Sequence, residues 1–149
     1  MMVDRIIKKL PYTDPFLFVD NIESVTENSI VGNYTFNKNE SFYPGHFKNN
    51  PVTPGAILTE CCAQIGLVCL GIYLLQKEGT NIQEMQIALS SSEMQFLLPV
   101  YPLETVTVTS SKIYFRFNKL KCSVKMHNKK GAVVCTGILS GMLKEKNNE

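Results

Sequence analysis

One histidine and one glutamate in this chain have the residue types and the sequence setting that proton transfer requires. His46 follows a glycine in a loop rich in Asn, Pro and Gly, and Glu60 lies in the longest apolar segment. A histidine titrates near neutral pH, whereas burial raises the pKa of a carboxyl group because its charged form loses hydration. The pair therefore predicts a general base beside a general acid.

The segment that carries the glutamate is predicted to be a buried helix. Pro54 suits the first helical position, Thr53 is a possible N-cap, and the helix should run to about Lys77. The stretch 56–75 is about one membrane-spanning length, but Glu60 and Gln64 interrupt it. We therefore expect a core helix rather than a membrane span.

Two further residues on this helix could assist the reaction. Gly55 would present a bare backbone N–H at the positive end of the helix dipole, where charge on a substrate carbonyl oxygen is stabilised. Gln64 follows Glu60 by one helical turn and could orient it by a hydrogen bond. A base, an acid and an electrophilic N–H are what the elimination of water from a β-hydroxy thioester uses.

Each of these residues also has an ordinary structural explanation. A histidine after glycine is often a hydrogen-bonded turn residue, and a glutamate in an apolar helix can pair with a lysine. His127 precedes a predicted hairpin turn and is expected to be exposed. Cys61 and Cys62 are poor nucleophile candidates because apolar burial raises the pKa of a thiol. The functional prediction therefore rests on His46, Glu60 and Gly55 occurring together, and not on any one of them.

The composition bounds the class of protein. The 149 residues are 44% apolar and 19% charged, which predicts one globular domain over 1–149 with a disordered tail at about 144–149. A net charge of +2, with Arg5 and Arg116 as the only arginines, argues against a nucleic-acid partner. Five cysteines without a CxxC pair, only two histidines and no signal peptide predict no metal site and a cytoplasmic location.

The remaining sequence predicts a sheet. Strands are expected at 16–25, 30–36, 86–98, 105–117, 120–126 and 132–143, most of them with apolar residues at every second position. Two strands, one long helix and four strands indicate an α+β protein in which an antiparallel sheet curls around a central helix. The open edges of such a sheet favour pairing into a homodimer.

At this point a family resemblance becomes visible. The chain resembles the FabZ-type β-hydroxyacyl-[acyl-carrier-protein] dehydratases of the hot-dog fold. Their pattern of Gly-His-Phe, Pro-x-x-Pro-Gly, Glu and Ala-Gln stands here as Gly45-His46-Phe47, 51–55, Glu60 and Ala63-Gln64. The segments 10–20, 39–42 and 95–100 also resemble those of the family.

The resemblance implies roles for the residues. His46 would remove the α-proton, Glu60 would protonate the departing β-hydroxyl of a (3R)-hydroxyacyl thioester, and the Gly55 N–H would bind the thioester carbonyl. The substrate-binding residues implied are Phe47, Pro54, Gly55 and Gln64. It further implies an acyl carrier protein as partner, no metal or redox cofactor, and a homodimer, or a hexamer built from three dimers, whose sites combine the His and the acid of different subunits. Related isomerase-capable enzymes carry Asp at the acid position, so Glu60 favours dehydration without double-bond migration.

The chain also departs from the family pattern. Lys48-Asn49 replaces the usual Pro-Gly after Gly-His-Phe, and Gln95 replaces an Arg. The altered residues suggest a non-catalytic acyl-binding subunit as one alternative, and a hot-dog acyl thioesterase that uses a carboxylate-activated water is another. The altered residues also suggest a specialised paralogue in a polyene or polyketide-like pathway.

Overall fold

The structure, a computed structural model, describes residues 2–80 and 85–145. The helices are α1 (Met2–Lys8), a single 3₁₀ turn (Tyr43–Gly45) and α2 (Gly55–Lys77). The strands are β1 (Asn21–Val25), β2 (Ser29–Thr35), β3 (Met85–Phe96), β4 (Thr105–Arg116), β5 (Lys119–Asn128) and β6 (Val133–Glu145). They form one antiparallel sheet in the order β1-β2-β4-β5-β6-β3.

The sheet curls around α2, and the core lies between them. Alternate residues of the strands point inward because side chains in a strand face opposite sides, so Val106, Val108 and Leu120 are fully buried. The hydroxyl of Ser110 donates a 2.8 Å hydrogen bond to the carbonyl of Gly66 and ties the helix to the sheet. The predicted hot-dog architecture is confirmed.

The central helix α2 widens in its middle. It is α-helical over Gly55–Ala63 and Leu70–Lys77, with a π-helical segment at Gln64–Cys69 between them. Its length, and a mean hydropathy of 1.8 over its most apolar stretch, would suffice to cross a membrane, but 78% of that stretch is buried inside this fold. The helix therefore has the surroundings of a core helix, as the sequence predicts.

Two predicted boundaries are wrong. The strand expected at 16–25 occupies only Asn21–Val25, because Phe16 and Phe18 use their backbone groups to bind the side chain of Gln64 instead of a neighbouring strand. Residues 144 and 145, which were expected in a disordered tail, pair with β3 at the end of β6. Residues 146–149 lie outside the described residues.

Within residues 2–80 and 85–145, the sheet has two edges, β1 and β3. Among these residues the longer edge strand, β3, pairs along its length with β6 on one side only. Leu89 and Phe96 on this strand are 44% and 49% exposed. The edge at β3 therefore offers unpaired backbone groups and apolar surface together.

Candidate active site

His46 is held in one tautomer by the loop that carries it. Its Nδ1 atom lies 2.9 Å from the carbonyl oxygen of Val52, and the Val52 N–H donates a 2.7 Å hydrogen bond back to the carbonyl of His46. A carbonyl oxygen only accepts, so Nδ1 carries a proton, and in the neutral imidazole the lone pair is then on Nε2. This is the state that a general base needs.

The histidine loop is fixed to the rest of the fold by buried polar groups. The hydroxyl groups of Tyr43 and Thr53 lie 2.7 Å apart, and the Thr53 N–H donates a 2.8 Å hydrogen bond to the carbonyl of Val100. Both side chains are buried. The prediction that Thr53 caps α2 is wrong, because its hydroxyl is used by Tyr43 and Pro54 occupies the N-cap position.

Phe47 lies beside the candidate base. Its ring stacks on that of His46 with centroids 4.2 Å apart, and 55% of the side chain is exposed. The loop turns back immediately afterwards, with a pair of hydrogen bonds between the backbones of Phe47 and Asn50. The exposed ring presents an apolar surface next to His46, as a substrate-binding residue would.

Glu60 is oriented by Gln64. The Nε2 of Gln64 donates a 3.1 Å hydrogen bond to Oε2 of Glu60, which confirms the hydrogen bond that their spacing predicts. The same amide donates to the carbonyl of Phe16 at 3.0 Å and accepts from the N–H of Phe18 at 2.8 Å. Because Gln64 is completely buried and fully bonded, its amide cannot rotate freely, and the carboxyl of Glu60 has a fixed neighbour.

The start of α2 is covered by an aromatic ring. A Cβ atom added at Gly55 would lie 3.2 to 3.3 Å from three ring atoms of Phe96. The Gly55 N–H precedes the first intrahelical bonds, in which Ile57 and Leu58 donate to Pro54, so it belongs to the helix N-terminus with its partial positive charge. Glycine at this position leaves room for an atom between the helix and the ring.

A shallow cleft of about 380 Å³ opens at this point. It is lined by Thr53, Gly55, Leu58 and the residues 96–99. Phe96, Leu97 and Leu98 are each at least 40% exposed, so the cleft wall is apolar. An apolar wall next to a helix N-terminus suits an acyl thioester, which joins a hydrocarbon chain to a carbonyl group.

Within one protomer His46 and Glu60 do not hydrogen-bond to each other. The ring of His46 bonds to Val52 and the carboxyl of Glu60 to Gln64. Both side chains are only partly buried. This arrangement leaves each of them free to face a group from a second protomer.

Tyr12 is a neighbour of the candidate acid that the sequence analysis did not single out. Burial, together with the negative charge of Glu60, raises the pKa of Tyr12 to about 12. Tyr12 therefore stays protonated and lies within electrostatic range of the Glu60 carboxyl. Its position in the Leu10-Pro11-Tyr12 segment, where the family resemblance begins, was the available signal.

The cysteines next to Glu60 are structural. Cys61 and Cys62 are fully buried, and burial raises the pKa of the Cys61 thiol well above its usual range. The pKa of the Cys62 thiol is also raised well above its usual range. The largest cause is the side-chain contact with Cys135, whose sulfur lies 3.9 Å away. Protonated, buried thiols do not act as nucleophiles. Among residues 2–80 and 85–145, no three His, Cys, Asp or Glu side chains are grouped as metal ligands would be.

The family model and the similar proteins that match this chain agree with each other. Residues 10–136 match the family described as FabA-like domain. The 3-hydroxyacyl-[acyl-carrier-protein] dehydratase FabZ of Ehrlichia canis is 33% identical over 132 residues, which cover 85% of this chain and 86% of that protein.

Solved structures share the fold at low sequence identity. The dehydratase heterocomplex ApeI:P from Xenorhabdus doucetiae superposes with a TM-score of 0.79 at 13% identity, covering 95% of this chain and 91% of that chain. A hypothetical thioesterase with coenzyme A from Streptococcus pneumoniae has a TM-score of 0.62 at 13% identity, covering 86% and 88%. Dehydratases and thioesterases therefore share this architecture, and the fold alone does not choose between them.

Proposed function

The chain belongs to the FabZ-type 3-hydroxyacyl-[acyl-carrier-protein] dehydratases, and from this membership we propose that it eliminates water from a (3R)-hydroxyacyl thioester on acyl carrier protein. The product is the trans-2-enoyl thioester. The observation that carries the proposal is a histidine with a free Nε2 in the same chain as a carboxyl group that a buried amide orients.

His46 acts as the base. Its Nε2 accepts the α-proton of the substrate, while the bond from Nδ1 to Val52 keeps the ring in the correct tautomer and favours the imidazolium that forms. The electrons of the C–H bond move toward the thioester carbonyl. The Gly55 N–H, at the positive end of α2, donates to that oxygen and stabilises its developing charge.

Glu60 acts as the acid. Its carboxyl gives a proton to the β-hydroxyl, the C–O bond breaks, and water leaves as the double bond forms. Phe47 and Pro54 flank the thioester, and Gln64 keeps the carboxyl turned toward the substrate. To donate, the Glu60 carboxyl must hold this proton in a site that is closed to bulk water.

A homodimer supplies that closure. The open edge at β3 and the exposed apolar residues at 96–98 suit pairing across a two-fold axis, which would cover the partly exposed Glu60 and bring the partner's histidine loop over it. Each site then contains His46 of one protomer and Glu60 of the other. The enzyme is cytoplasmic in this proposal, and three dimers can assemble further into a hexamer.

The test is turnover of a 3-hydroxyacyl carrier protein, followed by mass spectrometry of the acyl chain. The protein should form the enoyl product, and Glu60→Gln should lower kcat by roughly 10²- to 10⁴-fold while the fold is retained. Glu78→Gln, at the exposed C-terminal end of the same helix, is the control and should keep full activity.

Three results would contradict the proposal. Wild-type turnover by Glu60→Gln would remove the glutamate from the mechanism. Release of free carrier-protein thiol from a saturated acyl thioester, with no enoyl product from the hydroxyacyl substrate, would assign a thioesterase instead. Tight acyl binding without any turnover would assign a binding subunit.

A further inference from the structure

Positive charge is concentrated on the hairpin formed by β4 and β5. Residues 105–128 contain five Lys or Arg and no Asp or Glu, although the whole chain has a net charge of only +2. The five are Lys112, Arg116, Lys119, Lys121 and Lys125. This part of the sheet therefore carries a positive potential that the overall composition hides.

The strand register brings three of these cations to one face at the tip of the hairpin. Arg116 is paired with Lys119, and Tyr114 with Lys121, so these side chains point to the same side of the sheet. The guanidinium carbon of Arg116 lies 4.4 Å from the centre of the Tyr114 ring, and the Nζ of Lys121 lies 5.9 Å from it. We call Arg116, Lys119 and Lys121 the tip cations.

An aromatic side chain projects from the turn beside them. Phe117 is 91% exposed, and Ile113 and Met142 nearby are each 49% exposed. Phe117 and Asn118 both have positive φ, at 54° and 59°, as a two-residue hairpin turn requires. Asn or Gly suits the first of these positions better than Phe, which packs against almost nothing here. Neither packing nor turn geometry explains the aromatic residue.

The tip lies at the opposite end of the fold from Gly55. Lys77, at the end of α2, forms a 2.9 Å ion pair with Glu27 in the β1–β2 turn, and the Lys112 N–H donates to the carbonyl of Asn28 in the same turn at 2.7 Å. The helix between Gly55 and Lys77 has 23 residues, and at 1.5 Å per residue it is about 34 Å long. Because the tip is far from Gly55, a carrier protein that delivers substrate to the site of this protomer is not expected to dock there.

We propose that the tip of this hairpin docks on an anionic lipid surface. Phe117, with Ile113 and Met142, enters the headgroup region, and the tip cations contact the lipid phosphates. A projecting aromatic residue surrounded by long cationic side chains is the composition that binds membrane interfaces without crossing them. A second copy of the chain is disfavoured, because a two-fold contact at the tip would place the tip cations against each other.

The test is sedimentation of the full chain with vesicles, which measures binding directly. The protein should bind phosphatidylcholine vesicles that contain phosphatidylglycerol and should not bind phosphatidylcholine alone. Lys119→Gln/Lys121→Gln should weaken binding about 25-fold, at about fivefold for each charge near the surface. The control is Lys129→Gln/Lys130→Gln, which removes the same charge from exposed residues of the β5–β6 turn and should leave binding unchanged.

Phe117→Asn separates insertion from folding. It should weaken vesicle binding while the free energy of unfolding stays the same or rises, since Asn tolerates positive φ. Absence of binding to anionic vesicles, equal losses in the two lysine pairs, or unchanged binding by Phe117→Asn would each overturn the proposal. So would a change of oligomeric state in the tip variants, which would make the tip a protein interface. If Lys119→Gln/Lys121→Gln lowers kcat/KM for acyl carrier protein and the control pair does not, the tip would instead be a docking site for the carrier protein.

Discussion

Gln64 donates a 3.1 Å hydrogen bond to Glu60 from a position that is completely buried. The amide that does so is also bonded to the backbone of Phe16 and Phe18, which belong to the segment before β1. The orientation of the candidate acid is therefore set by the N-terminal part of the chain through one side chain. A substitution at Gln64 should affect both chemistry and stability.

Gln64→Leu keeps the side-chain volume and removes all three hydrogen bonds. We expect a loss of stability of about 1 to 3 kcal/mol, because the buried Phe18 N–H loses its acceptor. We also expect kcat to fall about 10- to 100-fold with a smaller change in KM, since the carboxyl is no longer held in place. Gln76→Leu, later on the same helix, is the matched control. Full kcat in a destabilised Gln64→Leu protein would show that the glutamine is only structural.

Subunit complementation tests whether each site combines two protomers. His46→Ala and Glu60→Gln should each be inactive alone. When the two are refolded together in equal amounts, half of the dimers are mixed and each of these has one intact site, so about a quarter of wild-type activity should return. If both residues of a site come from one chain, every site in the mixture lacks one of them. No activity would then return.

A double variant can distinguish blocked access to the Gly55 N–H from crowding against the Phe96 ring. Gly55→Ala places a methyl group 3.2 to 3.3 Å from the Phe96 ring. In the proposed mechanism the substrate carbonyl approaches the helix at this position. The backbone N–H is retained, but the methyl group should keep the substrate oxygen away from it, so we expect kcat to fall about 10²- to 10³-fold, as when one donor to a developing oxyanion is lost. Gly55→Ala/Phe96→Leu should relieve the contact with the ring without restoring kcat. Recovery in the double variant would assign the loss to crowding alone.

The raised pKa values of the buried Cys122 and the partly buried Tyr12 predict loss of stability in alkali. Burial raises the pKa of Cys122 from 9.0 to about 11, and burial with the charge of Glu60 raises that of Tyr12 from 10.0 to about 12. A group whose pKa is higher in the folded state stabilises the fold fully below its unfolded pKa, and this contribution is lost as the pH rises through the folded pKa. The free energy of unfolding should therefore fall from about pH 9 upward.

Urea unfolding between pH 7 and pH 11 measures this effect. Cys122→Ala should make the decline above pH 9 shallower, and Tyr12→Phe should do so above pH 10. Tyr101→Phe, at an exposed tyrosine, should leave the profile as it is. An identical slope in all three variants would mean that other groups govern alkaline unfolding.

The strands of the second half of the chain were predictable because their apolar, inward-facing residues recur at every second position. Val106, Val108, Leu120 and Val124 alternate with polar neighbours, and the predicted strands agree with β4, β5 and β6 within about two residues at most ends. The segment 16–20 was assigned wrongly because a buried loop and a buried strand have the same apolar composition. What distinguishes them here is the bonding of Phe16 and Phe18 to Gln64, which lies more than forty residues away.

The candidate site was predictable in part. Gln64 beside Glu60 follows from helical spacing. The contact of His46 with Val52 involves a backbone carbonyl, which every residue type provides, so no sequence pattern marks it. Tyr12 comes near Glu60 only because the chain before β1 folds back over α2. Helical spacing does not predict a contact between residues so far apart in the sequence.

The exposed edge at β3 bears on how the protein behaves when it is made. A twelve-residue strand with apolar side chains and one unpaired side is the kind of surface that recruits other chains during synthesis. Variants that weaken the proposed subunit pairing at this edge should accumulate as insoluble material instead of as stable monomers. Yield and solubility will consequently report on subunit pairing before any assay is run, and an inactive β3 variant has to be checked for assembly before its chemistry is interpreted.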